Sequence, residues 1–117
     1  MKSSGESAAI IKGSRTYLFF VIINIKIRAV DGIEKRVLTA NKVEVRPGLH
    51  KLTVEYILIS YTVTVSTNVD LLFNTEAGHK YKIKEKDSFL VVMDTTSGVL
   101  VAKQPLGQYN TFSLYST

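Results

Sequence analysis

Two histidines, His50 and His79, are the side chains best suited to chemistry, and each follows a glycine-containing turn at the start of a β-like segment. Imidazoles on neighbouring strands would offer two nitrogen ligands to a divalent metal, with Glu55 or Glu76 as an oxygen donor. Neither histidine has the i, i+2 or i, i+4 spacing that gathers two ligands locally, and turn-edge histidines commonly bond backbone instead, so no metal ligand is assigned. Asp31, Asp94, Glu55 and Glu76 are the carboxylates available for acid–base work. Asp31 and Asp94, however, lie in turn sequences where a carboxylate accepts backbone N–H groups. The chain has no Cys, which excludes thiolate catalysis, disulfides and Cys-based zinc sites. No G-x-S-x-G nucleophile elbow occurs either. The expectation is a protein with no catalytic residue and no cofactor.

The clearest charged feature is Lys80, Lys82, Lys84 and Lys86. At the two-residue period of a strand all four project from one face, opposite Tyr81 and Ile83. With His79 beside them, and a net charge of +5, they form a basic stripe suited to phosphate groups of lipid, surface polymer or nucleic acid. The same ladder also suits an exposed edge strand, where lysines block strand-to-strand aggregation. A nucleic-acid reader presents stacking aromatics on its basic face. Tyr81 is out of phase with the lysines, which disfavours nucleic acid as the partner.

These side chains need a β framework, and the composition supplies one. Val, Ile and Thr fill 34 of 117 positions against six Ala, a balance that favours strands over helices. With 45% apolar and 21% charged residues, the chain has the length and core of one folded domain. No stretch reaches the roughly 18 apolar residues of a membrane-spanning helix. The longest apolar run, Tyr17 to Ile25, reads as a buried strand.

Along the chain, Ile23, Ile25, Ile27 and Ala29 alternate with Asn24, Lys26 and Arg28. Asp31-Gly32 then supplies a type I′ hairpin, with Ile33 to Leu38 as the return strand. Pro47-Gly48 suits a type II turn. Leu52, Val54, Tyr56 and Leu58 share one face of the next strand, and the change from Thr53 and Glu55 to Ile57 and Ile59 on the other predicts cover on both sides there. A bend near Ser60-Tyr61 divides this strand from the next. Val69 to Asn74 reads as a strand, with a turn closing at Gly78, although the spacing of Val69, Leu72 and Phe73 also allows one helical turn. Lys80 to Lys84, Phe89 to Met93 and Val99 to Ala102 complete the set, the last two joined by a turn ending at Gly98. About seven short strands predict a single antiparallel β-sandwich, immunoglobulin- or transthyretin-like, over residues 15–103. A small barrel is the second choice. Residues 1–14 read as a flexible arm with room for one short strand, and residues 104–117 as a polar tail whose Tyr109, Phe112 and Leu114 suit either disorder or a last strand docked on a partner. The uncharged run Tyr56 to Val65 belongs in the core; on an edge it would pair strands with a second copy to form a homodimer.

The run Ile25-Lys26-Ile27-Arg28-Ala29-Val30-Asp31-Gly32, followed by Val43-Glu44-Val45-Arg46-Pro47-Gly48-Leu49-His50-Lys51-Leu52-Thr53-Val54, resembles the PEGA-type domains of bacterial surface proteins. Ala77-Gly78-His79-Lys80-Tyr81-Lys82-Ile83 and Val91-Val92-Met93-Asp94 with Thr96-Ser97-Gly98 are similar to segments of small bacterial envelope lipoproteins. The resemblance spans residues 20–102. It implies a transthyretin-like sandwich without enzymatic activity in the bacterial cell envelope, periplasmic or outer-membrane, with any leader outside this chain. Its partner would be an anionic envelope polymer or lipid, or another envelope protein. The competing expectation is a small basic barrel that binds nucleic acid in the cytoplasm.

Overall fold

The alternation of apolar and polar residues becomes strands almost throughout. The computed structural model describes residues 8–34, 41–106 and 110–113. Its elements are β1 (Ala9–Lys12), β2 (Ser14–Leu18), β3 (Val21–Val30), β4 (Ile33–Glu34), β5 (Lys42–Val45), β6 (Gly48–Ile59), β7 (Val63–Thr75), β8 (Lys80–Lys86), β9 (Phe89–Asp94), β10 (Val99–Pro105) and β11 (Asn110–Ser113). They form two sheets. One has five strands in the order β10-β9-β8-β1-β5; the other has six, in the order β11-β7-β6-β3-β2, with β4 also on β3. The fold is thus an all-β sandwich with no closed barrel among the described residues. It is not wholly antiparallel, because β1 runs parallel to β8.

The core lies between the sheets. Ile11, Tyr81, Ile83 and Val92 from the smaller sheet meet Ile25, Ile27, Leu52, Val54, Tyr56 and Leu71 from the larger. Each belongs to the apolar half of a period-two pattern, so burying these side chains fixes register as well as stability. The expected hairpins are present: Asp31 and Gly32 both have positive φ, 53° and 80°, as a type I′ turn requires. Gly48 has φ 134°, well past the roughly 80° of the expected type II turn, and its turn forms no hairpin but carries the chain from β5 in one sheet to β6 in the other. Gly78 and Gly98 also sit at positive φ in their turns. The segment after Asn68 is strand, not helix, and β7 continues to Thr75. Of the expected return strand Ile33 to Leu38, only Ile33 and Glu34 fall within the described residues.

Within the segments expected as arm and tail, 1–14 and 104–117, the described residues Ala9–Lys12, Gln104–Leu106 and Asn110–Ser113 belong to the sandwich. β1 is an interior strand of the five-stranded sheet, and Ala9 and Ile11 are fully buried. Gln104 and Pro105 lie in β10, Leu106 is buried, and β11 pairs with β7.

At Gly13 the chain passes from β1 to β2, and so from one sheet to the other. A Cβ on Gly13 would stand 2.1 Å from the Ile25 carbonyl oxygen and 2.3 Å from Asn41 Nδ2, so only glycine fits. The Asn41 side chain fills the gap that β2 and β4 leave along the edge of β3. Its Nδ2 donates to the Ile25 carbonyl at 2.7 Å and its Oδ1 accepts from the Ile27 N–H at 3.1 Å. A side-chain amide here imitates the missing strand.

One end of the six-stranded sheet extends past the smaller sheet. Thr67 to Thr75 alternate buried and exposed, whereas Val63 to Ser66 are all half-buried, with partial cover on both faces. Ile57 is half-buried and Ile59 exposed, so the two-sided cover expected for them is not formed. Beyond them lie the Ser60–Thr62 turn and the two-residue β2–β3 turn, Phe19-Phe20.

Candidate functional site

The lysine ladder forms as the alternation requires. Lys80, Lys82, Lys84 and Lys86 are exposed, Tyr81 and Ile83 are buried, and Tyr81 packs against Phe73 in the core. The edge-guard explanation does not hold at Lys80 and Lys82, whereas Ile83 to Lys86 have no strand on the β1 side among the described residues. β8 pairs with β9 on one side, and over Lys80–Lys82 with β1 on the other. Cross-strand register enlarges the basic face: Lys12 lies opposite both Lys82 and Lys42, while Lys84 and Lys103 both flank Val91. Seven lysines thus share the outer face of this sheet with one carboxylate, Glu44. None of the seven is in an ion pair among the described residues. Val91 points outward yet is only 4% exposed, as expected if the aliphatic stems of its lysine neighbours cover it. Lys103 Nζ sits 4.4 Å from the Phe89 ring centre. The strand period shows Lys80 to Lys86, but Lys12 and Lys42 join only through pairing between strands distant in sequence, and Lys103 through the β9–β10 hairpin.

His79 is separated in role from the lysines. Its Nδ1 lies 2.6 Å from Asp94 Oδ2, while Asp94 Oδ1 accepts the N–H groups of Thr96 and Ser97. His50 repeats the device at another turn: Nδ1 is 2.7 Å from Asp31 Oδ2, and Nε2 is 2.6 Å from the Arg46 carbonyl oxygen. Asp31 Oδ1 accepts the Lys51 N–H. Both ring nitrogens of His50 face acceptors, so the doubly protonated imidazolium satisfies both.

The charges reinforce one another. The hydrogen bond from His50 and the Lys51 N–H hold Asp31 below the usual carboxylate range. Burial pushes His50 down, but Asp31 and the Arg46 carbonyl outweigh it and the net shift is upward. The Asp94 hydrogen bond raises His79 against partial burial. Asp94 is buried, which pushes its carboxyl up, yet the donors from His79, Ser97 and Thr96 bring it below its ordinary value. Burial also raises the Tyr81 hydroxyl.

The two histidines therefore occupy separate His–Asp clamps and do not share a site. Glu76, His79 and Asp94 do place three ligand atoms within 4.8 Å of one another. Asp94 spends its oxygens on His79 and the turn, which leaves His79 Nε2 and the exposed Glu76, too few to define a metal centre. Glu55 is taken by the Arg28 guanidinium.

A second exposed feature went unread. Tyr17 to Phe20 begin the run expected as a buried strand, but the chain reverses at Phe19-Phe20 and the segment protrudes. Phe19 is fully exposed; Phe20 is 69% exposed and Tyr61 70%, their rings 5.1 Å apart. The turn is hidden in the sequence because neither central residue is a Gly, Asn or Asp. No helix among the described residues is long and apolar enough to cross a membrane. No protein-family model, curated protein or solved structure matches the chain.

Proposed function

We propose that this protein is a non-enzymatic binding module of the bacterial envelope, and that the outer face of its five-stranded sheet docks on an anionic polymer or lipid. One observation carries this reading: seven lysines on one sheet face, none of them ion-paired among the described residues, with Lys80 and Lys82 on a stretch of β8 that has a strand on both sides and needs no edge protection. Such a face attracts phosphate-bearing surfaces and weakens with salt. Binding is preferred to catalysis because the His–Asp pairs are committed to turns, with both His50 nitrogens occupied. The envelope location rests on the resemblance to PEGA-type domains. Nucleic acid fits less well, since Tyr81 packs in the core and the aromatic residue on the basic face, Phe89, is half-buried beside Lys103.

The test is co-sedimentation with phosphatidylglycerol-containing vesicles, and retention on immobilised polyphosphate, at about 150 mM salt. The wild-type protein is expected to bind one or both. Lys82→Glu/Lys84→Glu should lose at least tenfold in affinity with an unchanged fold. Equal binding by the variant would overturn the reading.

A further inference from the structure

We infer that the Phe19-Phe20 hairpin tip, with Tyr61 beside it, inserts into the interface of an anionic lipid bilayer and anchors the protein there. This deepens the reading above by choosing lipid over polymer, and it rests on that reading for the negative charge of the surface.

The placement of the aromatics is the first argument. Apolar side chains at a turn usually fold back onto a core, yet Tyr17, Leu18, Phe19 and Phe20 are all more than half exposed, and Tyr61 from the neighbouring turn extends the patch. The tip stands at the end of the larger sheet where Ile59 and Tyr61 are also exposed. Aromatic rings with a polar handle, such as Tyr17 and Tyr61, favour the boundary between hydrocarbon and headgroups.

Backbone geometry is the second. Phe19 has φ 52° while Phe20 does not have positive φ, the type II′ pattern whose first position favours glycine. A turn shaped only for folding would carry a small residue there. The bulky ring is kept in a costly conformation at full exposure, which points to use of the ring outside the fold.

Charge is the third, and it selects the occupant. From Ser7 to Val30 and from Tyr56 to Val69 the chain has no acidic residue. Behind the tip, Arg15, Lys82 and Lys84 line a groove with Leu18, and the carboxylate there, Glu85, accepts the Tyr56 hydroxyl. An apolar wedge backed by cations matches hydrocarbon beneath anionic headgroups. A second copy of the chain would bring the same cations against themselves.

The chain has no Trp, so Phe19→Trp introduces a single fluorescent reporter at the tip. The protein is mixed with phosphatidylglycerol/phosphatidylcholine vesicles, with and without brominated acyl chains. Insertion gives a blue shift and bromine quenching, and Phe19→Ser/Phe20→Ser lowers vesicle affinity at least tenfold with an unchanged denaturation midpoint. Vesicle binding with water-like emission would overturn the insertion and leave the lysine face as the contact. Absence of vesicle binding alongside retention on polyphosphate would also overturn it while sparing the lysine reading. Failure on both probes would remove the two together. A blue shift that follows protein concentration without lipid would assign the tip to self-association and overturn the proposal.

Discussion

Replacing Phe19 with glycine should make the protein more stable and less able to hold a membrane. The left-handed backbone costs an L-residue about 1–2 kcal/mol, a cost that glycine does not bear. Against this, glycine gives the unfolded chain more freedom, worth about 0.5–1 kcal/mol. The ring is fully exposed, so its removal forfeits no packing. The balance is a gain of about 0.5–1 kcal/mol, a rise in Tm of about 2–5 °C for a domain of this size. Thermal and urea unfolding followed by circular dichroism resolve such a change. The same variant, in the vesicle assay, should bind at least tenfold more weakly. A lower Tm would refute the reasoning, because it would mean that the ring is packed in solution and that the turn is not strained. A higher Tm with undiminished vesicle binding would separate strain from function.

Four further outcomes follow from the geometry. Gly48→Val should cost at least about 1 kcal/mol, since φ of 134° is poorly tolerated by a β-branched residue although the space is open; an unchanged denaturation midpoint would refute it. Gly13→Ala should cost at least about 2 kcal/mol, because the added carbon collides with the Ile25 carbonyl and Asn41. Asn41→Ala should cost about 1–3 kcal/mol by stranding the Ile25 carbonyl and the Ile27 N–H, and it should speed amide exchange at Ile27. The two clamps make stability pH-dependent. Raised histidines contribute fully below their ordinary 6.5, and that contribution is lost as pH rises through their folded values. The lowered aspartates contribute above 3.8 and lose it as pH falls. The unfolding midpoint should therefore be highest between these limits, and the part of its fall that begins above 6.5 and precedes tyrosine ionisation should vanish in His50→Asn/His79→Asn.

Period-two alternation made the sandwich legible, because one buried face per strand writes itself directly into the sequence. Turn chemistry placed Asp31-Gly32 and Pro47-Gly48 for the same reason: few residues accept those backbone angles. What stayed hidden depended on contacts distant along the chain. Ile11 lies beside both Val43 and Tyr81 only because β1 enters the sheet between β5 and β8, and no local pattern encodes that insertion. Lys12 and Lys42 join the basic face through the same pairings. The aromatic tip was misread because a run of apolar residues states burial by default, and Phe19-Phe20 breaks the usual chemistry of a hairpin. His50 and His79 were correctly placed at turns, but their Asp partners are fixed by cross-strand geometry.

The position of β1 also sets the order in which the protein can be completed during synthesis. Ile11 leaves the ribosome well before its neighbour Tyr81, because the two paired strands lie far apart in sequence. Until β8 is made, β1 can pair with β5 but keeps its other hydrogen-bonding edge open. Pairings so far apart in sequence slow folding. They also leave a vacancy that the β1 of a neighbouring molecule can occupy, so crowded synthesis favours strand exchange between copies.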